Sequence, residues 1–165
     1  VLVFINLHNS SGIRIKDHSC IYFFIMHVVA DRVGEALAST SYAFKTMLNL
    51  GIPTSLGTDS PVEDINAIDN LYCAVTRRDL KGDAEGQPDG FYASEKLTVE
   101  EAVDCYTAGS AHASFEENTK GRLLPGFAAD LVLLSDDIFS VDPLKMREVR
   151  VDRTIVNGRT VFVRG

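Results

Sequence analysis

Three polar residues, Thr58, Asp59 and Ser60, stand together in the stretch GIPTSLGTDSPVED, directly after a short apolar run. The Asp59 carboxylate suits two roles, since it can accept hydrogen bonds from backbone N–H groups or ligate a divalent metal ion. The flanking hydroxyls can cap the backbone as readily as they can orient the carboxylate or contact a substrate. The residue types alone favour a turn or a helix N-cap, because Asp between a strand and a helix commonly caps the backbone.

The other side chains that could bind a metal or act as nucleophiles are scattered along the chain. The histidines are His8, His18, His27 and His112. No two of them have the spacing of a shared metal site on one strand or helix. The cysteines are Cys20, Cys73 and Cys105. They form neither a C-x-x-C motif nor a disulfide framework, so reduced thiols and a cytoplasmic location are expected.

Composition indicates one soluble globular core, since the 165 residues are 45% apolar and 24% charged. The net charge of -7 argues against a nucleic-acid partner, because binding phosphates needs clustered Lys and Arg. The apolar run at residues 20 to 30 is shorter than the roughly 20 residues that cross a bilayer as a helix, so no membrane partner is expected. The chain opens on VLVFINLHN without the basic segment that precedes the apolar core of a secretory signal, so the sequence predicts no export signal.

The middle of the chain predicts a helix, a strand and a second helix in that order. SYAFKTMLNLG has apolar residues at helical spacing and ends on Gly51, which suits a helix C-terminus. IPTSLGT then predicts a strand. After Asp59, a second helix has a predicted buried stripe of Ile65, Ile68, Leu71, Tyr72 and Val75. Arg77 and Arg78 end this helix, where they could pair with an anionic substrate or, with fewer assumptions, with the helix C-terminus.

The polar residues 81 to 90 predict a solvated loop and a candidate mobile lid. A third helix is predicted from Thr98, which forms a capping box with Glu101. Strands follow: ADLVLL is a short apolar run, and the pair Asn157 and Gly158 joins two β-rich runs as a hairpin. Residues 21 to 29 also favour a strand, since they are rich in β-branched and aromatic side chains.

Several stretches, taken together, resemble one family. These are GIPTSLGTDSPV, AVTRRD, EKLTVEEAVDCYTAGSAHASFEE, KGRLLPGFAADLVLLSDD and VRVDRTIVNGRTVF. Their order and spacing are similar to the C-terminal part of metal-dependent amidohydrolases, in the branch related to N-substituted formamide deformylases. The resemblance covers residues 39 to 165 and extends, on weaker similarity, to Met26. Residues 1 to 25 stay unassigned.

The resemblance implies an α/β fold: the last strands and helices of a TIM (β/α)8 barrel within residues 1 to 120, then antiparallel strands of a small β-sandwich at 121 to 165. IPTSLGT would be the eighth barrel strand, with Asp59 at its active-face end. There Asp59 would ligate a divalent metal, zinc being the first choice, and accept the proton of the attacking water. Thr58, Ser60 and His27 would contact a small-molecule substrate, although a buried structural role suits His27 better.

The resemblance also shows what this chain lacks. It has neither the His-x-His pair of the first barrel strand nor the ligands of the middle strands, and such a barrel needs about 250 residues. We therefore expect a fragment of a hydrolase of C–N bonds that is inactive alone. A non-catalytic α/β scaffold or interaction module, self-associating through exposed strand edges, is the alternative. An incomplete gene product, with residues 1 to 25 unrelated to the family, is a third hypothesis.

Overall fold

The computed structural model describes residues 2–3, 29–61, 64–82, 84 and 86–165. His8, His18, Cys20 and His27 lie outside the described residues, as does the strand predicted at 21 to 29 apart from Val29, which is helical. Residues 29–33 are also helical, and the further α-helices of the described residues are α1 (Glu35–Ala38), α2 (Phe44–Asn49), α3 (Ala67–Thr76), α4 (Val99–Asp104) and α5 (Ser110–Ala113). Short 3-10 helices span Ala93–Glu95 and Pro143–Glu148. The strands are β1 (Leu2–Val3), β2 (Leu131–Leu134), β3 (Val151–Val156) and β4 (Arg159–Val163).

Helix α2 ends as its sequence predicts. Gly51 has a φ of 72°, its N–H donates to the Leu48 carbonyl at 2.9 Å, and the Ile52 N–H donates to the Met47 carbonyl at 3.0 Å. These two bonds form a Schellman motif, which requires the left-handed residue that glycine supplies at no steric cost. The helix is shorter than the ten residues predicted, because it begins only at Phe44.

The start of α2 depends on a distant residue. Its N-cap, Ala43, offers no side-chain hydrogen bond, and the Thr46 N–H instead donates to the Glu95 carboxylate at 2.9 Å. Glu95 is buried at 8% exposure, so a charged side chain of the 3-10 helix serves as a cap for α2. A negative charge at this position also suits the helix dipole.

Helix α3 begins later than the apolar pattern predicts. The Asn66 side chain accepts a hydrogen bond from the Ile68 N–H at 3.1 Å and caps the helix there. Ile65, predicted to lie in the buried stripe, therefore precedes the helix and is 77% exposed, so that prediction is wrong. The other four members of the stripe are buried as predicted: Ile68, Leu71, Tyr72 and Val75.

The run predicted as a strand, IPTSLGT, is irregular apart from a bridge at Leu56. Thr54, Ser55 and Thr58 within it are nevertheless buried. The Leu56 N–H donates to the Cys105 carbonyl at 3.3 Å, so a helix supplies this hydrogen bond. This hydrogen bond joins the run to the helix at Leu56.

Four strands form one antiparallel sheet in the order β1-β2-β3-β4. Asn157 and Gly158 both have positive φ, at 52° and 76°, and connect β3 to β4 as the predicted hairpin. β1 is an addition to the prediction, because residues 1 to 25 carried no assignment. Every residue of β4 is exposed.

One hydrophobic core joins the helices to the C-terminal segment. Ile68 and Leu71 of α3 belong to the same buried cluster as Val132 and Leu134 of β2 and Met146 of the last 3-10 helix. The Arg147 Nε donates to the Asp69 carboxylate at 2.6 Å, which adds an ion pair across this junction. The sheet is thus anchored on α3.

Arg77 is a structural residue, because its side chain is fully buried and cannot reach an anionic substrate. It ends α3 in a left-handed conformation, with a φ of 56°. Its Nε donates to the Phe91 carbonyl at 2.9 Å and its Nη1 to the Tyr42 carbonyl at 3.0 Å. The substrate-pairing hypothesis is therefore wrong for Arg77, which ties three segments together.

Arg78 holds the polar loop that was predicted as a candidate lid. Its Nη1 donates to the Gly82 carbonyl at 2.9 Å, and its Nη2 contacts the Pro88 carbonyl. The described part of the loop is therefore anchored near both ends by one side chain. Whether it moves as a lid stays a prediction.

Replacing the two arginines separately should give unequal losses of stability. Arg77→Ala leaves the Phe91 and Tyr42 carbonyls buried without these donors, so we expect the free energy of unfolding to fall by about 3 kcal/mol or more. The matched variant Arg78→Ala acts on a partly exposed side chain and should cost about 1 kcal/mol or less. Urea denaturation followed by circular dichroism measures both, and equal losses would contradict this assignment.

Candidate functional site

Asp59 lies in a turn directly after the buried run. Its φ of 56° is left-handed, a conformation in which Asp is enriched among non-glycine residues. The buried Thr58 accepts a hydrogen bond from the Ser60 N–H on its Oγ1 at 3.3 Å, while Ser60 itself is exposed. Thr58 therefore stabilises the turn, and the partly exposed Asp59 and the exposed Ser60 lie on its accessible side.

The helix beside this run is not uniform. Between α4 and α5 the backbone forms a π-helical turn, Cys105–Gly109, and the three pieces continue one another. The predicted capping box at the start of α4 is confirmed, since Thr98 and Glu101 exchange side-chain and backbone hydrogen bonds. A π turn inside an α-helix often marks a functional position.

Gly109, in the π turn, lies against the backbone of the buried run. A Cβ at this position would be 2.1 Å from the Thr54 carbonyl oxygen, far inside van der Waals contact. The φ of Gly109 is -61°, so its backbone conformation would allow any residue. The close approach of the two backbones is therefore what requires glycine here.

Gly109→Ala separates this contact from ordinary helix propensity. Alanine in a helix interior is favoured over glycine by about 1 kcal/mol, so an unconstrained site would be stabilised. Because the new Cβ must displace Thr54, we expect destabilisation by about 2 kcal/mol. Chemical denaturation shows whether Gly109→Ala raises or lowers the free energy of unfolding. A control glycine must have an ordinary φ, which excludes Gly126, whose φ is positive. Gly57, with open space around its Cα and no positive φ, offers the control Gly57→Ala.

A cavity of about 440 Å³ lies against the same helix. It is lined by Leu48, Thr54, Glu101, Asp104, Cys105, Ala108, Gly109, His112, Glu117, Lys120 and Arg122. Thr54 belongs to this lining, whereas Thr58, Asp59 and Ser60 do not. The cavity therefore lies beside the start of the buried run, whereas Asp59 follows the end of that run.

Several ionisable side chains that line this cavity contact a side chain of opposite type. Lys45 contacts the Glu101 carboxylate, and the Lys120 Nζ is 2.7 Å from a Glu116 oxygen. The His112 Nδ1 is 3.4 Å from the Glu117 Oε1. These pairs shape the cavity wall.

Cys105 is not an activated nucleophile. Burial, and to a smaller extent the nearby carboxylates Asp104 and Glu101, together raise the pKa of its thiol to about 12. A thiol with so high a pKa stays protonated at neutral pH, where the thiolate is the reactive form. Cys73 and Cys105 are both buried thiols.

The described residues do not fit a metal ion. Across 2–3, 29–61, 64–82, 84 and 86–165, no group of three or more His, Cys, Asp and Glu could hold one. A catalytic zinc site usually has about three protein ligands, so Asp59 with its described neighbours does not complete one. His27, predicted as a substrate contact, lies outside the described residues.

Comparison with known proteins gives the class. The model of the amidohydrolase family matches residues 14–162, so the chain belongs to the amidohydrolase family. The match begins earlier than the resemblance at residues 26 or 39, so residues 14 to 25, which the sequence left unassigned, fall within the matched region.

Individual relatives agree with this. The chain is 34% identical over 134 residues to the protein YtcJ of Bacillus subtilis, covering 81% of this chain and 25% of that protein. It is 32% identical over 117 residues to the N-substituted formamide deformylase of Arthrobacter pascens, covering 71% of this chain and 20% of that protein. A solved structure of an uncharacterized metal-dependent hydrolase from Pyrococcus horikoshii OT3 superposes on this chain with a TM-score of 0.65 at 25% identity. The superposition covers 79% of this chain and 26% of that structure. The chain thus spans about a quarter of the length of these relatives.

None of the helices in the described part of the chain is both long and apolar enough to cross a membrane.

The pKa of Glu101 predicts an acid-sensitive contribution to stability. Burial, the largest single influence, raises this pKa, but the hydrogen bonds from Lys45 and from the Thr98 N–H together with the Lys45 charge lower it below 4.5. A lowered folded-state pKa stabilises the fold above the unfolded value, and this stabilisation disappears as pH falls through the folded value.

We therefore expect the urea midpoint of the wild-type chain to fall more steeply between pH 5 and pH 3 than that of Glu101→Gln. The control is Glu100→Gln, which changes the exposed neighbouring carboxylate. Parallel pH profiles for the wild type and Glu101→Gln would refute the role of this carboxylate.

Proposed function

We propose that this chain is the Asp59-bearing part of a hydrolase that cleaves a C–N bond in a small amide or formamide. Membership of the amidohydrolase family supports the reaction class, and similarity to an N-substituted formamide deformylase supports the bond type. The observation that carries the proposal is the placement of Asp59, partly exposed in a left-handed turn at the end of a buried run. A carboxylate so placed is held by the fold and remains accessible.

The proposed architecture follows the family. Residues 1 to 120 would contribute strands and helices to a (β/α)8 barrel, and residues 121 to 165 would contribute strands to a small β-sandwich. The buried run before Asp59 would occupy the place of a barrel strand. Its irregular backbone is compatible with this proposal, since barrel strands need strand partners on both sides for a continuous ladder.

The chain's own contribution to the chemistry would be proton transfer. Asp59 accepts a proton from the water whose oxygen attacks the amide carbonyl carbon, and then delivers that proton to the leaving nitrogen. The exposed Ser60 hydroxyl and His27 would contact the substrate, whereas Thr58 supports the turn. Because the described residues do not fit a metal, no step is assigned to one. A divalent ion, zinc being the first choice, would need ligands from elsewhere in a full-length family protein.

Manganese broadening tests whether Asp59 can ligate a cation. Titrating the ¹⁵N-labelled chain with Mn²⁺ should broaden the amide signals of residues 58 to 60, with a dissociation constant on the order of a millimolar or weaker, because one carboxylate binds weakly. Asp59→Asn should abolish the broadening at these residues. Asp104→Asn, which removes an exposed carboxylate on α4, should leave it unchanged.

The same preparations should not hydrolyse an N-substituted formamide above background when zinc is added. Metal-dependent hydrolysis that Asp59→Asn left untouched would overturn the assignment. Absence of broadening at residues 58 to 60 would do the same.

A non-catalytic module is the second candidate, favoured by the edge of the sheet. β4 lies at one end of the strand order, and its Val161, Phe162 and Val163 are 62%, 47% and 57% exposed. An exposed apolar edge strand can pair with another chain. Concentration-dependent dimerisation in sedimentation experiments, combined with no Asp59-centred broadening, would favour this candidate over the hydrolase.

A further inference from the structure

The Ser110 hydroxyl lies at the point where the helix meets the buried run. Its Oγ is 3.1 Å from the Ser55 Oγ and 3.3 Å from both the Leu56 and the Cys105 carbonyl oxygens. A hydroxyl has one proton to donate and can accept as well, so Ser110 can donate to one carbonyl at a time and accept from the Ser55 hydroxyl. The first residue of α5 thereby joins the buried run to the π turn.

Three successive residues of the run contact this part of the helix. The Thr54 carbonyl faces Gly109, the Ser55 hydroxyl faces Ser110, and the Leu56 N–H donates to the Cys105 carbonyl. All three contacts are made by backbone or hydroxyl groups and fix the register of the run along the helix. Asp59 follows Leu56 by three residues, a span of at most about 11 Å.

The polar groups that make this contact are better suited to placing the run precisely than to stabilising the fold. Apolar side chains of similar size would bury more hydrophobic surface, and Ala at position 110 would have a higher helix propensity than Ser. A π turn is also rare within helices and is frequently found at functional sites. Directional hydrogen bonds restrict sliding of the run, which apolar contacts permit.

We infer that Ser110, together with the π turn Cys105–Gly109, positions the Asp59-bearing run. Ser110 is a positioning residue, since it acts on Asp59 through Ser55 and Leu56. The inference rests on the proposed function, because Asp59 needs exact placement only if it takes part in a reaction.

Nuclear magnetic resonance of the full chain, without added metal, tests the inference. In Ser110→Ala the ¹³Cα and ¹³Cβ shifts of Asp59, which report its backbone dihedral angles, should move away from their wild-type values. Hydrogen exchange of the Leu56 amide should accelerate about tenfold, which corresponds to about 1.4 kcal/mol and to the loss of one hydrogen bond.

Ser114→Ala is the matched control. The Ser114 hydroxyl can donate to the Ser110 and Ala111 carbonyls or to the Glu116 carboxylate, so this variant removes a comparable hydroxyl without touching the run. It should leave the Asp59 shifts and the Leu56 exchange rate unchanged. Ser55→Ala, which removes the other hydroxyl of the contact, should reproduce the Ser110→Ala effect in part.

Unchanged Asp59 shifts in Ser110→Ala would overturn the inference, as would equal changes in Ser114→Ala. These outcomes are distinct from failure of the proposed function, which is judged by Mn²⁺ broadening in the wild-type chain. A wild-type chain without that broadening leaves Asp59 as a structural turn residue, and the positioning role then falls with it.

Discussion

Buried backbone polar groups need hydrogen-bond partners, and this requirement governs how the run 54 to 58 is held. The run is buried, yet it forms no regular ladder in the described structure. The partner of the Leu56 N–H comes from a helix, whose own carbonyls are normally occupied by the i to i-4 pattern. The π turn is the local departure from that pattern, and the Cys105 carbonyl within it accepts the Leu56 N–H. The placement of Asp59 therefore depends on an irregularity in a helix about fifty residues later.

The helices and the sheet are joined by few polar contacts and a shared apolar core. The Arg77 guanidinium donates hydrogen bonds to the Tyr42 and Phe91 carbonyls, and Arg147 of the C-terminal segment donates to the Asp69 carboxylate. Such buried or half-buried arginine contacts fix orientation, because the guanidinium donates in a rigid planar geometry. The apolar cluster provides most of the stabilisation, and the arginines select one arrangement of it.

The elements that the sequence predicted correctly are those set by neighbouring residues. The Thr98 capping box, the Gly51 Schellman motif and the Asn157 hairpin each depend on backbone conformations within a few residues. The prediction failed at the start of α2, which depends on a distant residue, Glu95. It also failed at Ile65, which has helical spacing, because the neighbouring Asn66 caps the helix after it.

In the candidate site, too, the sequence predicted features set by neighbouring residues and missed contacts between distant segments. The types of Thr58, Asp59 and Ser60 indicated a turn, which the positive φ of Asp59 confirms, whereas its catalytic role came from family resemblance and remains a proposal. Gly109 and Ser110 were missed, although the small residues of AGSAHA are a signal for close backbone approach. Their partners lie more than fifty positions earlier, and no local pattern reveals which segment will approach.

The two ends of the polar loop after α3 are fastened by adjacent arginines. Arg78 binds the Gly82 and Pro88 carbonyls, and Arg77 binds Phe91 just beyond. The separation of the loop's ends is thus set by the scaffold and not by the residues between them. Since the entropy of closing a loop grows slowly with its length, extra residues inserted between Gly82 and Pro88 would cost little stability. This is the place where the family could lengthen the chain, or an experimenter could attach a label, without moving Asp59.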